Sequence, residues 1–301
     1  MLPNTVSRLN AADRVARYEL LFPLGKGGQG EVWCARLADH AAFEKRVVLK
    51  FIRLDEGDTE AARGAFLDEA RIGAAVSHPN VAQVLEVGTH HDWMFLALEW
   101  VVGDSLARIA RWGQRQGEGG LAVRIVLRVL ADAAAGLHAA HELKDDAGLP
   151  LQVVHRDVAP ENIIVAQSGH TKVIDFGIAA ARVRLSQTTN MQQVKGRLRF
   201  MSPEQADPGR LGGQRIDRRA DVFSLAAVLF YCLTGRGPFE QDTDAQTLRE
   251  LIGATTPPVI PPGVPTAVAK LLDRALDPNR RARPATALEF KAAMQDTKTF
   301  L

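Results

Sequence analysis

Between Tyr18 and His90 the apolar residues fall in short runs with the spacing of strands. YELLFPL and EVWCARL flank a glycine-rich stretch, and RVVLKFI is a third β-rich run. One segment breaks the pattern. In EAARGAFLDEARIGAAV, residues 60 to 76, Phe66, Glu69, Ile72, Gly73 and Val76 recur at helical spacing on one face. His78-Pro79-Asn80 ends that helix. After MFLALEWVV, residues 94 to 102, the period becomes helical. LAVRIVLRVLADAAAGLHAAHEL, DVFSLAAVLFYCL, TAVAKLLDRAL and TALEFKAAM all read as helices. The change near Gly103 predicts an α+β chain, with a small β-rich lobe carrying one helix, a short strap, and a larger helical lobe. A cleft between two such lobes is the expected place for a ligand. TPPVIPPGVP, residues 256 to 265, reads as a connection between two helices.

Composition narrows the class of partner. The chain has 301 residues, 46% of them hydrophobic and 24% charged, which suits a globular enzyme or binding protein. Its formal net charge of +2 is too near balance to argue for nucleic acid or an anionic membrane as the ligand. Cys34 and Cys232 lie far apart and offer no metal spacing, so both are expected to be reduced core thiols. MLPNTVSRLNAADR lacks the apolar stretch of a secretory signal. The longest apolar run, VFSLAAVLFYCL, is too short to span a bilayer. The expectation is a soluble, cytoplasmic chain with no membrane segment.

Three constellations suggest chemistry. IIVA, QSGH and TKVI read as strand, turn and returning strand, bounded by Asn162 before and Asp175-Phe176-Gly177 after. A hairpin brings its open ends together, so Asn162 and Asp175 face the loop HRDVAPEN that holds Asp157. An amide oxygen and a carboxylate converging in this way suit a hard cation with oxygen ligands, above all Mg²⁺ with substrate phosphates. The second is GKGGQGEVW, where Gly25, Gly27, Gly30 and Val32 stand in a G-x-G-x-x-G-x-V frame that lets backbone amides approach phosphate. A dinucleotide fold needs a helix after such glycines, whereas EVWCARL is β-like. The third is a pair: Lys50 closes a strand with alternate buried positions, and Glu69 sits on the apolar face of the predicted helix. Each explains the other as an ion pair.

Together these residues resemble the protein kinases. Gly25-x-Gly27-x-x-Gly30-x-Val32, Lys50, Glu69, His155-Arg156-Asp157, Asn162, Asp175-Phe176-Gly177 and Ser202-Pro203-Glu204 stand in that family's order and spacing. The resemblance is closest to bacterial Ser/Thr kinases of eukaryotic (Hanks) type and covers roughly residues 18 to 295. It implies the two-lobed kinase fold, with a flank over 1–17, the N-lobe and hinge over 18–102, the C-lobe over 103–295 and a tail over 296–301. It implies transfer of the ATP γ-phosphoryl group to protein hydroxyls. The glycine loop would cover the phosphates, and Lys50, held by Glu69, would grip the α and β groups. Asn162 and Asp175 would bind Mg²⁺, and Asp157 would accept the substrate hydroxyl proton. Val48 and Leu98 would line the adenine pocket, with Glu99, Trp100 and Val101 offering backbone hydrogen bonds. The implied partners are protein substrates and the chain itself, by autophosphorylation in a transient dimer. Arg156 beside the catalytic acid implies regulation by a phosphate on Thr189, Thr188 or Ser186, in that order. Arg283 is expected to pair with Glu204, and Asp221 to open an anchoring helix. His138 and His141 are expected to be helix packing.

Two positions depart from the family. It usually carries a lysine two residues after the catalytic acid, where this chain has Ala159, and a threonine after Gly196, where this chain has Arg197. One cation is missing and one is gained, which suggests that Arg197 replaces the lysine as a catalytic charge. The competing reading is a pseudokinase scaffold that binds nucleotide without efficient transfer. Lys50, Glu69, Asp157, Asn162 and Asp175 are all present, and a scaffold needs none of them for catalysis.

Overall fold

The computed structural model describes residues 9–27, 30–38, 45–53, 59–115, 121–176 and 196–298. The chain divides into two compact units. One comprises Met1–Ala74 with Ala82–Val101, the other Ala75–Val81 with Val102–Leu301.

The first unit is built on a six-stranded antiparallel sheet in the order β1-β2-β3-β4-β6-β5. Its strands are β1 (Arg14–Val15), β2 (Tyr18–Gly27), β3 (Gly30–Leu37), β4 (Arg46–Arg53), β5 (Val84–His90) and β6 (Trp93–Glu99). The predicted flap is present, with β2 and β3 paired up to Gly27 and Gly30. Alternation sorts the side chains of the central strands between two faces. Tyr18, Leu20, Trp33, Ala35, Leu49, Phe51 and Phe95 form a core on one face. On the other face Ile52, Met94 and Leu96 pack with Phe66 and Ala70 of α1 (Thr59–Ala75). Gly73 lies on that helix too, and a side chain there would collide with Val84.

The second unit is helical. α2 (Leu106–Arg115), α3 (Val123–His141), α4 (Pro203–Ala206), α5 (Arg219–Thr234), α6 (Asp244–Gly253), α7 (Thr266–Ala275) and α8 (Ala287–Lys298) surround one apolar core. α5 lies at its centre. Every residue from Ala220 to Cys232 is buried, the polar Asp221 and Ser224 included. A small sheet, β7 (Gly103–Ser105), β8 (Ile163–Ala166) and β9 (Thr171–Val173), contains the predicted hairpin. The proline-rich stretch connects α6 to α7, as expected.

Sequence periodicity missed β5, α2 and α6. β5 pairs only with β6 at the sheet edge, and its Leu85 and Val87 point outward, so its pattern lacks a buried apolar face. α6 buries only Thr247 and Leu251. Cys34 and Cys232 are both buried and free, as expected. No helix among the described residues is long and apolar enough to cross a membrane.

Candidate active site

In the first unit, the register of three strands lines up the residues expected to meet a nucleotide. Val32, Lys50 and Leu96 are cross-strand partners in one row, and Cys34, Val48 and Leu98 form the next row on the same face. Val32, Val48 and Leu98 remain partly accessible. Lys50 Nζ donates to Glu69 Oε1 at 2.6 Å, and the carboxylate is 5% exposed. A buried carboxylate needs such a partner. The two glycines at the ends of the flap serve different ends. A Cβ on Gly30 would land on the Phe51 carbonyl oxygen, so close backbone approach demands glycine there. A Cβ on Gly25 would meet nothing, so packing gives no reason for that glycine. At the strap, the Glu99 N–H donates to Gln83 O at 2.9 Å, and the Trp100 ring takes the Phe22 ring edge-on.

In the second unit the hairpin forms as read from the sequence. Ile163 pairs with Val173, and the Ile174 N–H donates to Asn162 O at 3.0 Å. Asn162 and the residue before Asp175 are therefore direct backbone neighbours. The Asn162 amide nitrogen donates to both the carbonyl and Oδ2 of Asp157, at 2.8 and 3.1 Å. With its nitrogen so committed, Oδ1 is the atom this side chain has left to offer a cation. Asn80, from the turn that ends α1, holds the hairpin from the other side. Its amide donates to Thr171 O at 2.8 Å and its carbonyl accepts from Val173 N.

The loop bearing Asp157 is fixed by a buried carboxylate. Asp221, fully buried in the first turn of α5, accepts from the backbone N–H groups of His155 and Arg156, each at 2.8 Å. His141 Nε2 lies 2.7 Å from the same carboxylate. Burial alone would raise the Asp221 pKa, but the His141 hydrogen bond, the two imidazoles and the backbone donor outweigh it and leave it lowered. His141 therefore does more than the packing expected of it. The sequence carried a signal, because His141 falls on the core face of α3, where a polar group needs a partner.

Two non-glycine residues here adopt positive φ, Arg156 at 64° and Asp175 at 55°. Such conformations cost on the order of 1–3 kcal/mol each and persist only where surrounding contacts impose them. His155 supplies some of those contacts. Its Nδ1 accepts from Asp157 N and its Nε2 donates to Ile174 O, while its ring packs on Phe176 at 4.8 Å.

Arg197 reaches Asp157. Its guanidinium forms an ion pair with Asp157 Oδ2, and the two residues line one small pocket with Ala159, Phe200 and Met201. The gained cation and the position of the missing one therefore lie side by side. Arg283 and Glu204 form the expected pair, bidentate at 2.7 and 2.9 Å. Gly177, Ser186, Thr188 and Thr189 lie outside the described residues. Among those described, no three His, Cys, Asp or Glu side chains cluster as a metal site.

The protein kinase domain family matches residues 18–296. This chain belongs to that family. It is 37% identical over 286 residues to the tyrosine-protein kinase MasK of Myxococcus xanthus, covering 94% of this chain and 43% of that protein. It is 30% identical over 279 residues to the serine/threonine-protein kinase PrkC of Bacillus subtilis, covering 91% and 39%. The chain thus spans less than half the length of either relative. The kinase domain of Mycobacterium tuberculosis PknI has the same fold, with a TM-score of 0.68 and 23% identity over 97% of this chain and 100% of that one. This is a bacterial Hanks-type kinase domain.

Proposed function

We propose that the chain transfers the γ-phosphoryl group of ATP to serine or threonine hydroxyls of protein substrates, with Asp157 as the group that receives the hydroxyl proton. The observation that carries this reading is the set of contacts on Asp157. Asp221 fixes the backbone before it, Asn162 holds its carboxylate, and a cation from residue 197 meets the same oxygen. A proton acceptor has to be held within hydrogen-bond reach of its donor, and these contacts restrict both backbone and side chain.

The residues also fit the nucleotide and its metal. Asn162 Oδ1 and the Asp175 carboxylate are hard oxygen donors on adjacent backbone. Two protein ligands suit Mg²⁺, which keeps water and phosphate for its other positions. Bound Mg-ATP supplies the transferable phosphoryl group and the charge that neutralises it. Lys50, oriented by Glu69, would hold phosphate oxygens. Gly25 leaves open the space a phosphate would approach, and Val32, Val48 and Leu98 form an apolar surface for the base. Glu99 and Val101 would present backbone groups to its edge. A phosphate on Thr189, Thr188 or Ser186 would pair with Arg156 and order the segment that bears it. Cytoplasmic protein substrates and the chain itself belong to the same reading.

In this reading Arg197 takes the part of the lysine that the family usually carries two residues after the catalytic acid. Ala159 leaves room beside Asp157, and the Arg197 guanidinium occupies that neighbourhood. Arg197→Ala is expected to lower kcat by about 10²-fold with little change in the KM for ATP. Adding Ala159→Lys to that variant should recover much of the loss. An Arg197→Ala enzyme with unchanged kcat would remove Arg197 from the mechanism.

Similarity to a tyrosine-protein kinase supports a second reading, in which tyrosine is the acceptor. Phosphoamino-acid analysis of a labelled protein substrate separates the two. Phosphoserine and phosphothreonine are expected, and phosphotyrosine alone would establish the second reading.

A further inference from the structure

The Arg156 backbone is clamped at both ends by side chains. Its N–H donates to Asp221 Oδ1 at 2.8 Å, which the site already uses. Its carbonyl accepts from Gln205 Nε2, also at 2.8 Å, and nothing in the kinase reading so far accounts for Gln205. Gln205 lies in α4, the short turn of helix that begins at Pro203. Its amide oxygen is held in turn by the backbone N–H of Ser202 at 3.2 Å and by Ser202 Oγ at 3.0 Å. Ser202 is fully buried, and its neighbour Glu204 is anchored by Arg283, so this end of the bridge is rigid.

The bridge needs an amide. One end must accept from Ser202 and the other must donate to a carbonyl oxygen, and a carboxamide offers both in one plane. Glutamate has the same shape, but its ionised carboxylate has no donor and would place negative charge against the Arg156 carbonyl. The bridge also falls at a critical position. Arg156 is the positive-φ residue directly before Asp157, so a rotation of its peptide re-aims the catalytic carboxylate.

We propose that Gln205 is a positioning residue. It ties the Ser202-Pro203-Glu204 turn to the strained peptide before Asp157, so that the aim of the catalytic acid depends on the seating of this turn. The proposal rests on the kinase reading above for its effect on turnover. The hold on the loop itself can be read without turnover.

The test is Gln205→Glu in the full chain, with two readouts. In steady-state phosphorylation at pH 8, kcat is expected to fall roughly 10- to 100-fold, the scale of a small misplacement of a reacting group. The KM for ATP and the melting temperature should stay near those of the parent. In hydrogen–deuterium exchange, the peptide covering residues 153–158 should exchange faster, because the Asp157 N–H shares its peptide unit with the carbonyl that Gln205 holds. Parental kcat together with parental exchange would overturn the proposal. So would equal losses in kcat, KM and melting temperature, which mark a merely structural residue. A parent chain without turnover would overturn the kinase reading instead, and exchange in the variant would still decide whether Gln205 holds the loop.

Discussion

Asp157→Asn is expected to lower phosphoryl transfer by roughly 10²- to 10⁴-fold, the range for loss of a positioned proton acceptor. Asparagine preserves the shape of the side chain, and the loop around it is held by other residues. His155 N and Arg156 N still reach Asp221, and His155 still bridges Asp157 N and Ile174 O. The fold and the nucleotide affinity should therefore change little. Two contacts do change. The Arg197 guanidinium loses its ionic partner, and the Asn162 amide faces a neutral side chain in place of a carboxylate. Initial rates on a general protein substrate, compared with ATP affinity from a fluorescent analogue, would separate a chemical defect from a binding defect. A variant with parental kcat would show that the proton goes elsewhere.

The second large effect concerns stability. Arg283 is 2% exposed and all five of its N–H donors have acceptors. Two go to Glu204, and the other three to the carbonyls of Asp277, Pro278 and Arg219. Its guanidinium also lies over the Phe223 ring at 4.7 Å. Arg283→Met would strand the buried Glu204 carboxylate and those three carbonyls together. Breaking a buried pair in this way costs about 3–5 kcal/mol. The solvent-facing Arg108–Asp104 pair serves as the control, since surface pairs contribute about 0–1 kcal/mol. Chemical denaturation of the Arg283→Met and Arg108→Met chains should show a large shift for the first and a small one for the second. Equal shifts would mean that the Glu204 pair anchors nothing.

Much of this site was legible in the sequence, because it depends on order and alternation. Lys50 and Glu69 were paired by the costliness of a lone charge on an apolar face, and the structure holds them at 2.6 Å. Asn162 and Asp175 were brought together by hairpin logic, which the Ile174–Asn162 hydrogen bond bears out. The approach of Arg197 to Ala159 followed from a missing and a gained cation in one fold. Other contacts could not be read in this way. The reach of Asp221 into the loop before Asp157 spans 65 and 66 residues, and the partner atoms on the loop are backbone N–H groups that every sequence has. Gln205 was hidden for the same reason, since its target is a carbonyl. Side-chain chemistry announces itself in a sequence, whereas side-chain support of backbone does not. β5 escaped because an edge strand with outward-facing leucine and valine lacks the alternation that marks a half-buried strand.

The most direct test of the account is intact-mass and peptide mass spectrometry of the purified chain after incubation with Mg-ATP and a general protein substrate. Phosphate is expected on serine or threonine, in the added protein or within this chain, with Thr189 and Thr188 the first positions to inspect. A chain that binds ATP yet leaves itself and every added protein unmodified would contradict the account. It would make Ala159 the mark of a nucleotide-binding scaffold.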